Sequence, residues 1–322
     1  MAAEFVVDAG LTAIVLNYRN KLLIGDEILP RVQVATKAFE YVTMLASQNI
    51  TLIDTNVGRR SKPNEIDMAG QSVTGKCEDQ ALDAPVPYND IEEYNSGVAR
   101  GLVAPRDIDG AKTAQVQNII DLRREKRVAD TVYTAASYPA GNKVTLSGTS
   151  QWSDYTNSDP LSAMLTALDA MYWRPNSLVM GNDVWAKLRV HPKVSAALYP
   201  QGGNASVATA PIQDTSGLAA VLGLQNIWIG QSFLNTAKPG QTVSNARVWG
   251  KHALFFTKDE SIRSTDGGVT LGLTAQFGDR IAGRIMDPDM GMRGGYRVRA
   301  GECLKEILVA PDTAYLFTNA VA

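Results

Sequence analysis

Three features of the 322-residue chain predict an α+β fold organised by one long helix and a late antiparallel sheet. A single helical stripe runs from Ile108 to Ala136, far longer than any other in the chain. From Ala246 onward the apolar residues alternate, with Gly, Asp or Pro between the runs, as strands do. Between these two regions a β-α…α-β stretch, 175–245, is compact enough to form a lobe of its own.

Composition limits what such a chain can do. Hydrophobic residues make up 45 % and charged residues 20 %, the latter below the typical ~25 %. This length allows about two domains, and the apolar content leaves surface to bury, some of it against other subunits. Thirty-one Lys and Arg against 33 Asp and Glu give a net charge of −2, so no bulk positive field draws the chain to nucleic acid. The N-terminus MAAEFVVDAGL lacks a basic region before an apolar core, so no secretory signal is expected. No apolar run approaches the ~20 residues that a spanning helix needs. Cys77 and Cys303 are far apart in sequence and read as free thiols in a reducing cytoplasm. With only His191 and His252 beside them, no zinc site is expected.

Each element has its own reason. Asp8 opens a short helix with Leu11, Ile14, Val15 and Tyr18 on one face, and the first 48 residues read as an arm. Pro30 breaks the next run, leaving Val32, Val34, Phe39, Tyr41 and Thr43 to extended segments. From 49 to 95 the chain is polar, turn-rich and weakly patterned, and reads as a long excursion carrying a two-stranded ribbon. Asp107 or Asp109 caps the long helix, over which Ala114, Val116, Ile119, Ile120, Val128 and Val132 form one apolar stripe. At about 29 residues it would span roughly 43 Å. Its middle is charged: Asp121, Arg123, Arg124, Glu125, Lys126 and Arg127 form either a solvated, internally paired face or a contact with another subunit. A hairpin-like connector follows. Ser158 or Asp159 then caps a helix with Pro160 in its first turn and Leu161, Met164, Leu165, Leu168 and Met171 along one side. The lobe contains a buried strand at Ser177–Met180, a helix ended by His191-Pro192, a helix stopped by Gly223, and the strand NIWIG.

The stretch GQSVTGKC is one residue away from a phosphate-binding loop, with Gly70, Gly75 and Lys76 in place and Cys77 where Ser or Thr belongs. Its surroundings argue against ATP. No buried strand precedes it, and Pro85 and Pro87 prevent a helix of useful length after it. Glu78 and Asp79 would face the phosphates, and a thiol is a poor ligand for Mg²⁺. The expectation is a pair of glycine turns in a ribbon, with Lys76 turned toward a neighbouring subunit. A nucleotide hydrolase rests on this stretch alone. No GxSxG elbow, EF-hand spacing or nucleophile–base pair occurs elsewhere, so no catalytic, cofactor or metal residue is assigned.

In order, the segments LLIGDEILPRVQVATKAFEY, LRREKRVADTVYTAASYPAGNKVTLSGTSQW, WRPNSLVMGNDVWAKLRVHPKV, GLQNIWIGQSFLN and VWGKHALFF resemble the major capsid proteins of tailed bacteriophages. Shells of that family share the Hong Kong 97-type fold, and the resemblance covers nearly the whole chain. It implies an N-terminal arm over 1–48, an extended loop over 49–95 and an axial domain over 175–245. The peripheral domain would comprise 96–174 and 246–322, with a spine helix at 108–136. It further implies self-assembly into hexamers and pentamers of an icosahedral head enclosing double-stranded DNA, built in the host cytoplasm and kept in the virion. Portal protein, a separate scaffolding protein and a decoration protein are the implied partners, DNA being touched only weakly. An encapsulin-type nanocompartment shell is the alternative with the same fold. The basic residues expected at subunit contacts are Arg59, Arg60, Lys62, Lys76, Arg123, Arg124, Lys126 and Arg127. No motif ties Lys62 or Lys76 to Asn319, so the resemblance is not extended to a covalent cross-link.

Overall fold

The computed structural model describes residues 5–43, 52–65, 71–102, 104–198, 212, 214–238, 240–259 and 270–322. Two β-sheets are held on one helix. The main sheet is centred on the 14-residue strand Gly295–Leu308. One edge of that strand pairs with Glu78–Pro87, and the other pairs in tandem with Ile281–Asp287 and Gly272–Gln276. Val6–Val7 and Arg31–Gln33 extend these last two, so the N-terminal segment is stitched into the sheet at two places.

The strand Glu78–Pro87 corrects the sequence reading, which left this stretch in the polar excursion. Leu82, Ala84 and Val86 alternate, and Ala84 and Val86 pack under the long helix. Pro85 and Pro87 are tolerated because an edge strand leaves one row of backbone groups unpaired. The ribbon itself is Ala38–Thr43 against Gln71–Lys76. GQSVTGKC is therefore mostly strand and not turn, with Gly70 outside the described residues. Gly75 is needed because a β-carbon there would lie 2.6 Å from the ring of Phe39, its cross-strand partner.

The long helix runs Ile108–Val132, capped by Asp107, whose carboxylate accepts the Gly110 N–H at 3.0 Å. It ends four residues before the expected Ala136. There the Tyr138 hydroxyl donates to Val132 O at 2.6 Å and Thr134 Oγ1 to Asp130 O at 2.6 Å, consuming last-turn carbonyls. Its N-terminal half, through Val116 and Ile120, covers Val298 and Ala300 of the main sheet together with Leu11 and Val15 of the first helix, Ala9–Asn17. Its C-terminal half, through Val128, Ala129 and Val132, packs on Val179, Leu254, Phe256 and Leu316 of the second sheet. Ile119, expected in the stripe, is instead exposed.

The second sheet has the order Lys143–Thr145, Tyr315–Thr318, Ala253–Phe256, Ser177–Gly181 and Asn226–Gly230. Three of its five strands come from outside 175–245. The connector after the long helix contributes one of them, Lys143–Thr145, where a hairpin was expected. The face away from the long helix carries Leu178, Met180, Phe255 and Phe317, which pack on Met164, Leu168, Leu188, Leu218 and Leu222. With both faces covered, ALFF and SLVMG are unbroken apolar runs, as a central strand requires. Asp159 caps the helix Pro160–Ala170, and Gly223, at φ +69°, ends Ser216–Leu222. Among the described residues no helix is long and apolar enough to cross a membrane.

Candidate assembly interface

The eight basic residues divide into three groups. Arg59, Arg60 and Lys62 lie on the stretch 52–65, where no residue is buried. Lys62 holds Glu65, three residues on, at 2.5 Å, an exposed pair of small energetic weight. Lys76 is exposed at the root of the ribbon, beside a crevice shared with Tyr41, Thr131 and Lys305. Arg123 is exposed on the long helix and Lys126 pairs with Asp130 one turn on. Arg127 turns inward, to Glu306 at 3.1 Å and Gln80 at 3.3 Å.

Arg124 does not belong to any surface. It is 3 % exposed and holds Asp26 at 2.7 Å, the carbonyl of Leu29 at 3.2 Å and the hydroxyl of Thr274 at 3.0 Å. Glu125 beside it accepts the N–H groups of Ile24 at 3.0 Å and Gly25 at 2.6 Å, and the indole N–H of Trp249 at 2.6 Å. These two side chains are thus neither a solvated face nor a contact for a neighbour; they tie the N-terminal segment, Trp249 and the main-sheet residue Thr274 to the helix. A signal existed. Arg124 falls in the series Val116, Ile120, Arg124, Val128, Val132, spaced by four, all of whose members are buried.

The ionic network continues through Arg31, which reaches Asp26 at 2.8 Å and Glu302 at 2.7 Å. Arg280 joins Asp121 at 2.9 Å to Glu302 at 3.0 Å. Burial pushes the carboxyl of Glu302 upward, but Arg31 and Arg280 outweigh it and hold it below the ordinary 4.5. Asp26 is likewise lowered, burial being overcome by Arg124 and Arg31. Asp121 goes the other way, raised chiefly by its burial.

The remaining reactive groups are structural. Cys77 and Cys303 are free and buried in one apolar cluster, and burial with a hydrogen bond to Asp79 lifts Cys303 to about 11, far from a thiolate. Ser158 donates to Asp154 O at 2.6 Å, leaving the His191 Nε2–H to donate to Ser158 Oγ at 3.1 Å. A serine whose proton is committed to a carbonyl is no nucleophile. Among the described residues no group of three metal-ligating side chains occurs.

Burial lowers both histidines below the ordinary 6.5. A depressed histidine binds its proton more readily unfolded, so stability is full above 6.5 and declines as the pH falls below it. Each such group contributes up to about 1.4 kcal/mol per pH unit, and less for the half-buried His252. Glu302 and Asp26 add a second loss below about 4.5, which the raised Asp121 partly offsets. Urea midpoints should therefore drop between pH 7 and pH 5; equal midpoints would contradict this account.

A long helix carrying two sheets, with an unpacked loop on a ribbon, is the subunit architecture of Hong Kong 97-type capsid shells. A phage-related protein from Bordetella bronchiseptica RB50 superposes with a TM-score of 0.74 at 22 % identity, over 98 % of both chains. A chain of the cyanophage P-SCSP1u capsid superposes at 0.58 and 12 % identity, over 92 % of this chain and 88 % of that one. A family model described as phage major capsid protein E matches residues 111–229. The major capsid protein of Pseudomonas phage JBD67 is 43 % identical over 322 residues, covering 99 % of each chain. The chain belongs to the phage major capsid proteins. It is the structural shell subunit of a tailed-phage head, not an enzyme, and it resides in the virion capsid, where it associates with copies of itself.

Proposed function

We propose that this chain closes into hexameric and pentameric rings that tile an icosahedral head around double-stranded DNA. The observation that carries the reading is the stretch 52–65. It holds no buried residue, so a single subunit gains nothing from ordering it. A neighbouring copy is the surface on which its ordering cost is recovered. Within this reading 1–48 is the arm, 49–95 the extended loop and 96–174 with 246–322 the peripheral domain. The axial domain at 175–245 gathers round the ring centre, and its sheet borrows strands from both flanks.

Arg59, Arg60 and Lys62 are the loop residues that meet the neighbour, with Lys76 at its root and Arg123 and Lys126 on the helix as further contacts. Arg124 and Arg127 leave the proposal, because both are engaged inside their own chain. Portal, scaffolding and decoration proteins complete the head. The net charge of −2 supports weak, non-specific contact with DNA.

Negative-stain microscopy of the purified chain, alone and co-expressed with its scaffold, is expected to show rings and closed particles. A chain that stays monomeric under both conditions overturns the reading. Reversing Arg59 and Arg60 to Glu is expected to lower particle yield about tenfold or more without changing the subunit's own unfolding midpoint. Unchanged yield would remove these residues from the interface.

A further inference from the structure

Two charged surfaces are left unmatched within one chain. The first is the tip of the exposed stretch 52–65. Gly58 O accepts the Ser61 N–H at 2.9 Å, so Arg59 and Arg60 are the central residues of a β-turn, and both are exposed. Asn64 Nδ2 donates to Asp54 O at 2.8 Å and closes the stretch behind them. Lys62 is already committed to Glu65, but neither arginine has an ion-pair partner among the described residues.

The second is the helix Tyr88–Ala99, in which no residue is buried. Ile91 rests on the cluster under the long helix and the Tyr94 hydroxyl donates to Ala104 O at 3.0 Å, so the helix is held by one side only. The rest of its surface is acidic: Asp90, Glu92 and Glu93 are exposed, and the helix contains no Lys or Arg. Glu92 is taken by Arg293. Asp90 and Glu93, three positions apart and so side by side, have no ion-pair partner among the described residues. Two apolar side chains flank the helix and are largely exposed: Leu102, whose N–H returns to Gly97 O at 2.9 Å, and Met292, next to Arg293.

These surfaces belong to opposite ends of the main sheet. The ribbon strand Gln71–Lys76 leads into Glu78, opposite Leu304, whereas the helix follows Pro87, opposite Gly295. Ten residues of strand separate the two points, about 30 Å at ~3.3 Å per residue. We propose that the acidic helix Tyr88–Ala99 is the landing surface for the basic turn of a neighbouring copy, Arg59 and Arg60 pairing with Asp90 and Glu93. Two guanidinium groups and two carboxylates match in number and sign, and each Arg can present two N–H groups to one carboxylate. Leu52 and Val57, exposed on the same loop, then have Leu102 and Met292 to cover. Because the two surfaces start from opposite ends of one subunit, the contact is head-to-tail, the kind that closes rings. The pairing presupposes the ring assembly proposed above and names the surface on which the loop lands.

Charge exchange tests the pairing. Asp90→Arg with Glu93→Arg is expected to lower particle yield about tenfold or more, as reversal of Arg59 and Arg60 to Glu does, with the subunit's unfolding midpoint unchanged. All four changes together rebuild the contact with its polarity exchanged, and most of the lost yield is expected to return. A second readout leaves three of the four charges' positions intact in each copy's partner surface: Arg60→Cys combined with Glu93→Cys, oxidised in assembled particles, is expected to give a ladder of covalent oligomers on non-reducing gels. Neither single variant should give one, since Cys77 and Cys303 are buried. Wild-type yield from the Asp90→Arg, Glu93→Arg variant overturns the pairing, as does the lack of both recovery and ladder. Shells from the wild-type chain in that case leave the assembly reading intact; only their absence overturns that reading.

Discussion

Glu125→Ala is expected to destabilise the subunit by about 4 kcal/mol and to abolish soluble shells. Three N–H donors, from Ile24, Gly25 and Trp249, converge on this one carboxylate. Each buried donor stranded by the change costs about 1–3 kcal/mol, so three together reach the rare upper range for a single substitution. Glu125→Gln separates charge from geometry. Its amide oxygen, placed at Oε1, still accepts from Ile24 and Trp249, while its NH2 group faces the Gly25 N–H. The expected loss is about half that of the alanine variant. Burial lifts the pKa of Glu125, and the same three N–H groups draw it back, so the carboxylate is held by directed donors. Unfolding midpoints of soluble subunits measure the series; an alanine variant as stable as wild type would refute the anchor.

The second large effect is expected at Gly181, where the lobe strand Ser177–Gly181 passes the Trp249-Gly250 turn. A β-carbon on Gly181 would lie 1.9 Å from Gly250 O and 3.0 Å from Trp249 O. These are backbone atoms, so no side chain can swing aside, and strand or turn must shift as a whole. The turn is itself special, since Gly250 has φ +53°, a conformation most residues resist. Gly181→Ala should therefore disrupt the pairing of Gly181 with Gly230 and the hydrogen bond from its N–H to His252 O at 3.1 Å. The expected result is insoluble protein on expression. Gly141→Ala is the control: no atom lies within 4 Å of the added carbon, and stability should stay within about 0.5 kcal/mol of wild type. Soluble Gly181→Ala protein with a wild-type midpoint would remove the close approach from the account.

Much of this was legible from local pattern. Asp8, Asp107 and Asp159 announce three helices, because a cap needs only a short acceptor ahead of an apolar stripe. Gly223 ends a fourth because it alone takes φ +69° without strain. ALFF and TLGLTAQFG read as strands because they lie in stretches of apolar alternation punctuated by Gly, Asp or Pro. Pattern failed where a segment depends on something distant. Glu78–Pro87 looks like a loop until the edge of Gly295–Leu308 is there to receive it, and Ile281–Asp287 has too mixed a composition to stand out. Gly75 suggested a turn, but the ring of Phe39, thirty-six positions away (75 minus 39), decides its use.

Among the candidate contacts the division is sharper. Sequence alone set the long helix and the alternating C-terminal strands, since each follows from periodicity. It could also mark where positive charge is dense. Beyond the series spaced by four that runs through Arg124, it could not say which charges face solvent, because adjacent helical residues point about 100° apart and only the packed neighbours decide which face is covered. Arg59 and Arg60 remained outside while Arg124, from an equally charged run, was taken into the interior. The tertiary structure decided that by bringing Asp26, Leu29 and Thr274 from remote parts of the chain around one guanidinium.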